Sequence, residues 1–266
     1  MLDRDVNLDV VPICAMSDNY IWALCNPRDD SVFIVDPGDA SPVLEWLTKT
    51  QHTLAGILIT HHHYDHVAGV EQLLAHTMVP VYGPKQSPAT CITEPLLEGI
   101  CIILHGLECL IIEVPGHTLD HIAYYVKTPA PQAPILFSGD TLFAGGCGRL
   151  FEGTAEQMHD SLNKLAALPE KTRIYCGHEY TLANLRFALA AEPNNAELKQ
   201  RLENDTKARA DNRPTLPSTI ALEKRTNPFL RTQVASVAAK LTTETGHEDR
   251  MSVDIFSMLR DWKDRF

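Results

Sequence analysis

The 266-residue sequence predicts an α/β domain followed by a smaller all-helical one. Three observations lead there. Short apolar runs rich in Val, Ile and Phe alternate with helical segments over the first two-thirds of the chain. After His178 the strand pattern stops and helical periodicity continues to the last residue. Hydrophobic residues at 44% and charged residues at 21% are enough to bury a core in each part. The boundary is therefore set at residue 178, giving an α/β domain over 1–178 and a helical domain over 179–266.

In order along the chain, the strands expected are Tyr20–Cys25, Val32–Val35, Gly56–Thr60, Val79–Tyr82, Leu110–Val114, Ala123–Val126, Ile135–Phe137 and Arg173–Cys176. Each is short and bounded by Pro, Gly or Asp. Helices are expected over Pro42–Lys49 and Ala68–His76. Thr154 and Gln157 have the spacing of a capping box, which opens a helix through Ala167. Leu182–Ala191 and Ala196–Ala210 read as amphipathic helices, Asn212–Pro217 as a proline-bearing break, and the final helix runs to about Phe266.

Composition excludes several classes of function. With 23 basic against 34 acidic residues the net charge is −11, which argues against a nucleic-acid partner held by a basic field. No apolar run is long enough to span a membrane. The start, MLDRDVNLDV, carries charges of both signs and no apolar stretch, so no secretory leader is expected. The seven cysteines are scattered without a CxxC pair, the pattern of reduced thiols in a cytoplasm.

The densest chemistry is in ITHHHYDHVAG, residues 59–69. The apolar run ending at Thr60 makes this the loop at a strand's C-terminal end. In extended backbone His61 and His63 point one way and His62 the other, so the outer pair can clamp one cation. Asp65 and His66 follow the turn into a helix and aim elsewhere, which two cations explain better than one. Further ligands come from a repeated context. His117 in EVPGHT, Asp140 in FSGDT and His178 in YCGHE each follow a short apolar run and a glycine. In layered α/β folds such strand ends gather at one rim, where sites are built. A purely structural ion is disfavoured, because structural zinc prefers closed sets rich in Cys.

Thr60-His61-His62-His63-Tyr64-Asp65-His66 resembles the T-H-x-H-x-D-H signature of the metallo-β-lactamase superfamily. The resemblance implies an αββα sandwich with a binuclear metal site. It implies one metal on His61, His63 and His117, the other on Asp65, His66 and His178, and Asp140 bridging both together with a hydroxide. Asp36 in IVDPG resembles that family's supporting aspartate. GDTLFAGGCGR, YCGHEYTLANLRF, TLPSTIALEKRTNPFLR and the ending LRDWKDRF are similar to the glyoxalase II (hydroxyacylglutathione hydrolase) family from about residue 10 to the end. That resemblance implies hydrolysis of S-2-hydroxyacylglutathione thioesters, S-D-lactoylglutathione to D-lactate and glutathione, the second step of methylglyoxal detoxification. It also implies two divalent ions, zinc first with iron or manganese as alternatives, and a cytoplasmic monomer. Substrate contacts carry over onto Arg149, Tyr180, Arg260 and Lys263, with Asp65 and Asp140 catalytic. Arg260 and Lys263 lie three apart on one helix face, suited to a carboxylate.

Three positions depart from the family pattern. Phe151 stands where many members have Tyr and a hydroxyl for substrate. Asp120 stands where many have Gly; Asp tolerates a left-handed turn, so the backbone is expected to survive. Arg149 often appears as Lys in the family; the charge is kept while the donor geometry changes. Cys147, between glycines, reads as a packing residue rather than a nucleophile, since no base is assigned to it. Rival readings fit less well. A β-lactamase is expected to carry a leader and a tRNA nuclease a basic surface. A persulfide dioxygenase holds one iron and has no use for Asp65 and His178 as ligands. A flavin-linked di-iron reductase has an acidic residue where His63 stands. A metal-binding protein without turnover is the rival from another class.

Overall fold

The computed structural model describes residues 8–245 and 251–266. The first seven residues, part of the stretch read above for a leader, lie outside the described residues. No helix among those described is long and apolar enough to cross a membrane. The chain forms two compact units, neither continuous in sequence.

The first unit comprises residues through Glu113, Asp120–Gly139 and Tyr175–His178. One sheet orders β1 (Asp9–Ala15), β2 (Asn19–Cys25), β3 (Ser31–Val35), β4 (Thr53–Leu58), β5 (Val81–Pro84) and β6 (Glu94–Leu96) side by side. Its first three strands are antiparallel and the rest join in parallel. All seven residues of β2 are buried, which is why its sequence reads as a continuous apolar run instead of an alternation. Helices α1 (Ala40–Thr50) and α3 (Val70–His76) cover one face of this sheet, with Val43, Leu47, Val70 and Leu73 packed on Ile21, Ala23, Ile34 and Ile57. A short helix, α2 (Tyr64–Val67), precedes α3. On the other face lies an antiparallel sheet of β7 (Cys101–Leu104), β8 (Leu107–Glu113), β9 (Ile122–Val126) and β10 (Ile135–Gly139). Buried Tyr124 of β9 joins the sheets by donating to Ile59 O at 2.8 Å.

The second unit comprises Val114–Leu119, Asp140–Ile174 and Glu179–Phe266. It contains a small hairpin of β11 (Leu142–Phe143) and β12 (Gly146–Cys147), then α4 (Ala155–Ala166). The expected capping box is present: Thr154 Oγ1 accepts from Gln157 N and Gln157 Oε1 accepts from Thr154 N. Strand β13 (Arg173–Cys176) begins in this unit. The helices that follow are α5 (Thr181–Ala191), α6 (Ala196–Ala210), α7 (Ile220–Thr226), α8 (Ala235–Thr245) and α9 (Ser252–Arg265). Between α6 and α7, β14 (Ser218–Thr219) pairs with Arg173 and Ile174. No strand was expected after residue 178; two residues are too few to show a period. Phe187 of α5, Phe229, Phe256 and Trp262 form an aromatic core with ring centroids 5.2 to 5.9 Å apart.

Candidate metal centre

The first unit supplies five of the expected ligand residues. Past β4 the chain stays extended, and Ile122 N donates to Thr60 O at 2.9 Å to hold it. Alternation then separates the histidines. The His61 and His63 rings lie 4.7 Å apart, while His62 Nδ1 turns to Asp120 Oδ1 at 2.9 Å. His63 is the N-cap of α2, and the turn into that helix aims Asp65 and His66 elsewhere. His178, following β13, arrives through a bridge to Asn19. Asp65 Oδ2 lies 3.5 Å from His66 Nε2 and 3.4 Å from His178 Nε2. Asn19 Nδ2 also donates to Asp65 Oδ2 at 3.0 Å.

The partners of the other ring nitrogens fix the tautomers. A carboxylate can only accept, so His66 Nδ1 donates to Asp36 Oδ2 at 3.0 Å and His178 Nδ1 donates to Asp18 Oδ1 at 2.8 Å. Thr60 Oγ1 spends its proton on Asp36 Oδ2 at 2.7 Å, so at 3.0 Å it accepts from His61 Nδ1. In its neutral form each of the three rings thus keeps its lone pair on Nε2. Asp36 also accepts from Thr60 N at 2.8 Å, so its oxygens orient the loop and His66. Gly38 allows this loop to close: a Cβ there would lie 1.9 Å from Asp65 O.

The second unit supplies His117 and Asp140, with His117 Nε2 3.5 Å from Asp140 Oδ2. The same tautomer logic applies, because His117 Nδ1 meets the Arg149 carbonyl at 2.9 Å. Arg149 itself is exposed, its Nε 3.5 Å from Asp264 Oδ1. Phe151 is 62% exposed and presents its edge to the His117 ring at 5.2 Å. Tyr180 caps α5 and contacts Phe143 edge-on at 5.4 Å. Arg260 is buried; its guanidinium donates to Cys147 O at 3.1 Å and Asp264 Oδ1 at 2.8 Å. Lys263 Nζ donates to Asn184 Oδ1 at 2.8 Å. Burial, together with the adjacent Arg260, pushes the Lys263 ammonium down to about 8. Burial raises the Cys147 thiol, so it stays protonated.

Sequence reasoning missed Asp18 and Asn19, the residues that steady His178 and Asp65. Their signal was a short turn before β2, remote in sequence from every ligand. It also gave the wrong reason for tolerating Asp120. That residue is not among those with positive φ. Its carboxylate receives His62 instead, the histidine that alternation turns away from its neighbours.

The donor set fits divalent cations. The Asp65, His66 and His178 ligand atoms lie within 4.8 Å of one another. Imidazoles with a lone pair on Nε2 and Nδ1–H held by an oxygen, beside carboxylates, are the arrangement that metal-ligating histidines require.

Comparison with known proteins agrees. Residues 18–178 match the metallo-β-lactamase superfamily model, and residues 179–266 match the model of the hydroxyacylglutathione hydrolase C-terminus. Among solved structures, ETHE1 from Myxococcus xanthus superposes with a TM-score of 0.63 at 23% identity, covering 97% of this chain and 98% of that one. It shares the fold. A hydroxyacylglutathione hydrolase of Pseudomonas entomophila (strain L48) is 52% identical over 98% of this chain and 100% of its own length. One from Pseudomonas putida (strain W619) is 51% identical with the same coverage. A signature loop folded around cation donors, a helical second part matched end to end, and identity above half over nearly the whole chain place this protein in the hydroxyacylglutathione hydrolase family of the metallo-β-lactamase superfamily.

Proposed function

We propose that His61, His63 and His117 hold one divalent cation, that Asp65, His66 and His178 hold a second, and that Asp140 bridges them. Zinc is the first candidate, with iron or manganese as alternatives, since His and Asp donors suit all three. The observation that carries this reading is a shared orientation: His61, His66, His117 and His178 each set Nδ1 against an oxygen, which leaves Nε2 for a cation.

The reaction is hydrolysis of an S-2-hydroxyacylglutathione, with S-D-lactoylglutathione giving D-lactate and glutathione. Cations bound here would lower the pKa of water toward about 7 and polarise the thioester carbonyl. Asp65 is the residue assigned to accept a hydrogen bond from the attacking water. Water adds to the carbonyl, the C–S bond breaks, and glutathione leaves as a thiolate. Its parent thiol has a pKa of about 8.5, so the site has no need of a strong acid. Lys263 and Arg149 meet the glutathione carboxylates and Tyr180 flanks them. Arg260 contributes positive charge from beneath, because its donors already serve the loop at Cys147. The protein works as a cytoplasmic monomer in the second step of methylglyoxal detoxification. Residues 1–178 carry the chemistry and 179–266 carry most of the substrate contacts.

Metal analysis of the purified protein, paired with a lactoylglutathione assay before and after chelation, tests the reading. Two ions per chain and turnover that chelation abolishes are expected. Metal without turnover would make the chain a binding protein. Asp140→Ala should lose metal and nearly all activity; two retained ions at full rate would refute the bridge.

A further inference from the structure

The backbone from Phe143 to Gly148 is clamped almost atom by atom from the helical segment of its own unit. Asn227 Nδ2 donates to Phe143 O at 3.3 Å and to Gly146 O at 2.9 Å. Asn184 Nδ2 donates to Ala144 O at 3.1 Å. Glu223 Oε2 accepts from Gly145 N at 2.8 Å and from Asn227 Nδ2 at 3.1 Å. Arg260 Nη1 donates to Cys147 O at 3.1 Å and Gly148 O at 3.5 Å. Asn227 and Glu223 are both fully buried, and Glu223 is further held by Arg201 Nη2 at 2.7 Å. A two-residue hairpin with three glycines has no need of so many buried polar partners merely to turn, and every one of them costs desolvation.

What the clamp controls lies one residue further on. Arg149 O follows Gly148 directly and accepts from His117 Nδ1 at 2.9 Å. Gly148 cannot yield: a Cβ there would sit 2.0 Å from Asp140 O and 3.1 Å from His117 Nδ1. A shift of the loop by a few tenths of an ångström would therefore loosen the Arg149 carbonyl from the ring.

We propose that Asn227 and Glu223 are positioning residues for His117: they fix the 143–148 loop so that the Arg149 carbonyl holds the imidazole as its Nδ1–H tautomer, with Nε2 aimed toward Asp140. This rests on the reading of His117 as a cation ligand. It gives the helical segment a part in the metal centre in addition to its part in binding substrate.

The test uses the full chain and a variant matched for stability. Asn227→Ala removes both donations to the loop. Leu198→Ala lowers stability from the α5–α6 core, where Leu198 packs with Leu185 and Ala188. Ring-nitrogen NMR on the metal-free proteins reports the His117 tautomer, and competition with a chromophoric chelator reports zinc affinity. Asn227→Ala should mix the His117 tautomers and weaken zinc by roughly ten-fold or more, as loss of an outer hydrogen bond does at metal sites. Leu198→Ala should leave both as in wild type, and Asn227→Gln, which keeps an amide, should restore part of the affinity. A wild-type tautomer and affinity in Asn227→Ala, or equal losses in Leu198→Ala, would overturn the proposal. Wild-type protein that binds no zinc but still shows the Asn227-dependent tautomer would sink the functional reading and leave the positioning role standing.

Discussion

Asp36 is tied to two of the candidate ligand rings through hydrogen bonds alone. Its carboxylate takes Thr60 N, Thr60 Oγ1 and His66 Nδ1, so it sets the rings of His61 and His66 together. Asp36→Asn should cost about 10- to 100-fold in zinc affinity, measured by chelator competition, with little change in secondary structure by circular dichroism. Lys263 offers a pH test. With its ammonium near 8 it is charged below that value and neutral above it, so attraction for a substrate carboxylate fades as pH rises. KM for the glutathione thioester should climb roughly ten-fold between about pH 7.5 and 9.5, while kcat follows its own profile. Lys263→Arg, charged throughout, should flatten the climb; an unchanged climb would remove Lys263 from the pocket. It is a cleaner probe than Arg260, whose loss would also release the Cys147 loop. Phe151→Tyr, at an exposed side chain, should lower KM about 2- to 10-fold at constant kcat if the position faces substrate. Residue identity made the candidate ligands legible in the sequence, because a His or Asp after a strand and glycine is visible locally. Asp18, Asn19 and the meeting of His62 with Asp120 were not, because each joins positions that only tertiary folding brings close.

Helix α2 is a single turn that carries Asp65 and His66. It is too short to stand on propensity, and it is seated by Gly38 beneath it and by Asn19, which donates to Asp65 O at 3.3 Å. Gly38→Ala should displace the turn, lower metal content, and cost thermal stability out of proportion to one methyl group. Thr154→Ala is a useful contrast. Removing that cap from α4 should cost about 1 kcal/mol and leave the metal content unchanged, read by thermal melting with metal analysis. Elements were legible where an apolar run or a helical period had room to extend, as in β2, β4, α4 and α6. They were not where two or three residues suffice, as in β6, β11, β12 and β14, since pairing rather than pattern defines those strands. Strand β1 was hidden for another reason: its internal proline and mixed burial gave no clean alternation.

Across the molecule, the chain passes between its two units several times, so each is assembled from distant segments. Cations bound only by the folded state should raise its melting temperature by mass action. Chelation should lower it by about 5–10 °C per ion at metal concentrations near a hundred times Kd. The thiols tell a further story about the environment this protein meets. Hydrolysis of a glutathione thioester releases a free thiol, and disulfide exchange begins only from a thiolate. Cys147 is buried and protonated, while Cys14 and Cys101 are exposed. Under oxidative stress, glutathione adducts should therefore collect on the outer cysteines and spare the loop, leaving detoxification running when the cell's redox balance fails.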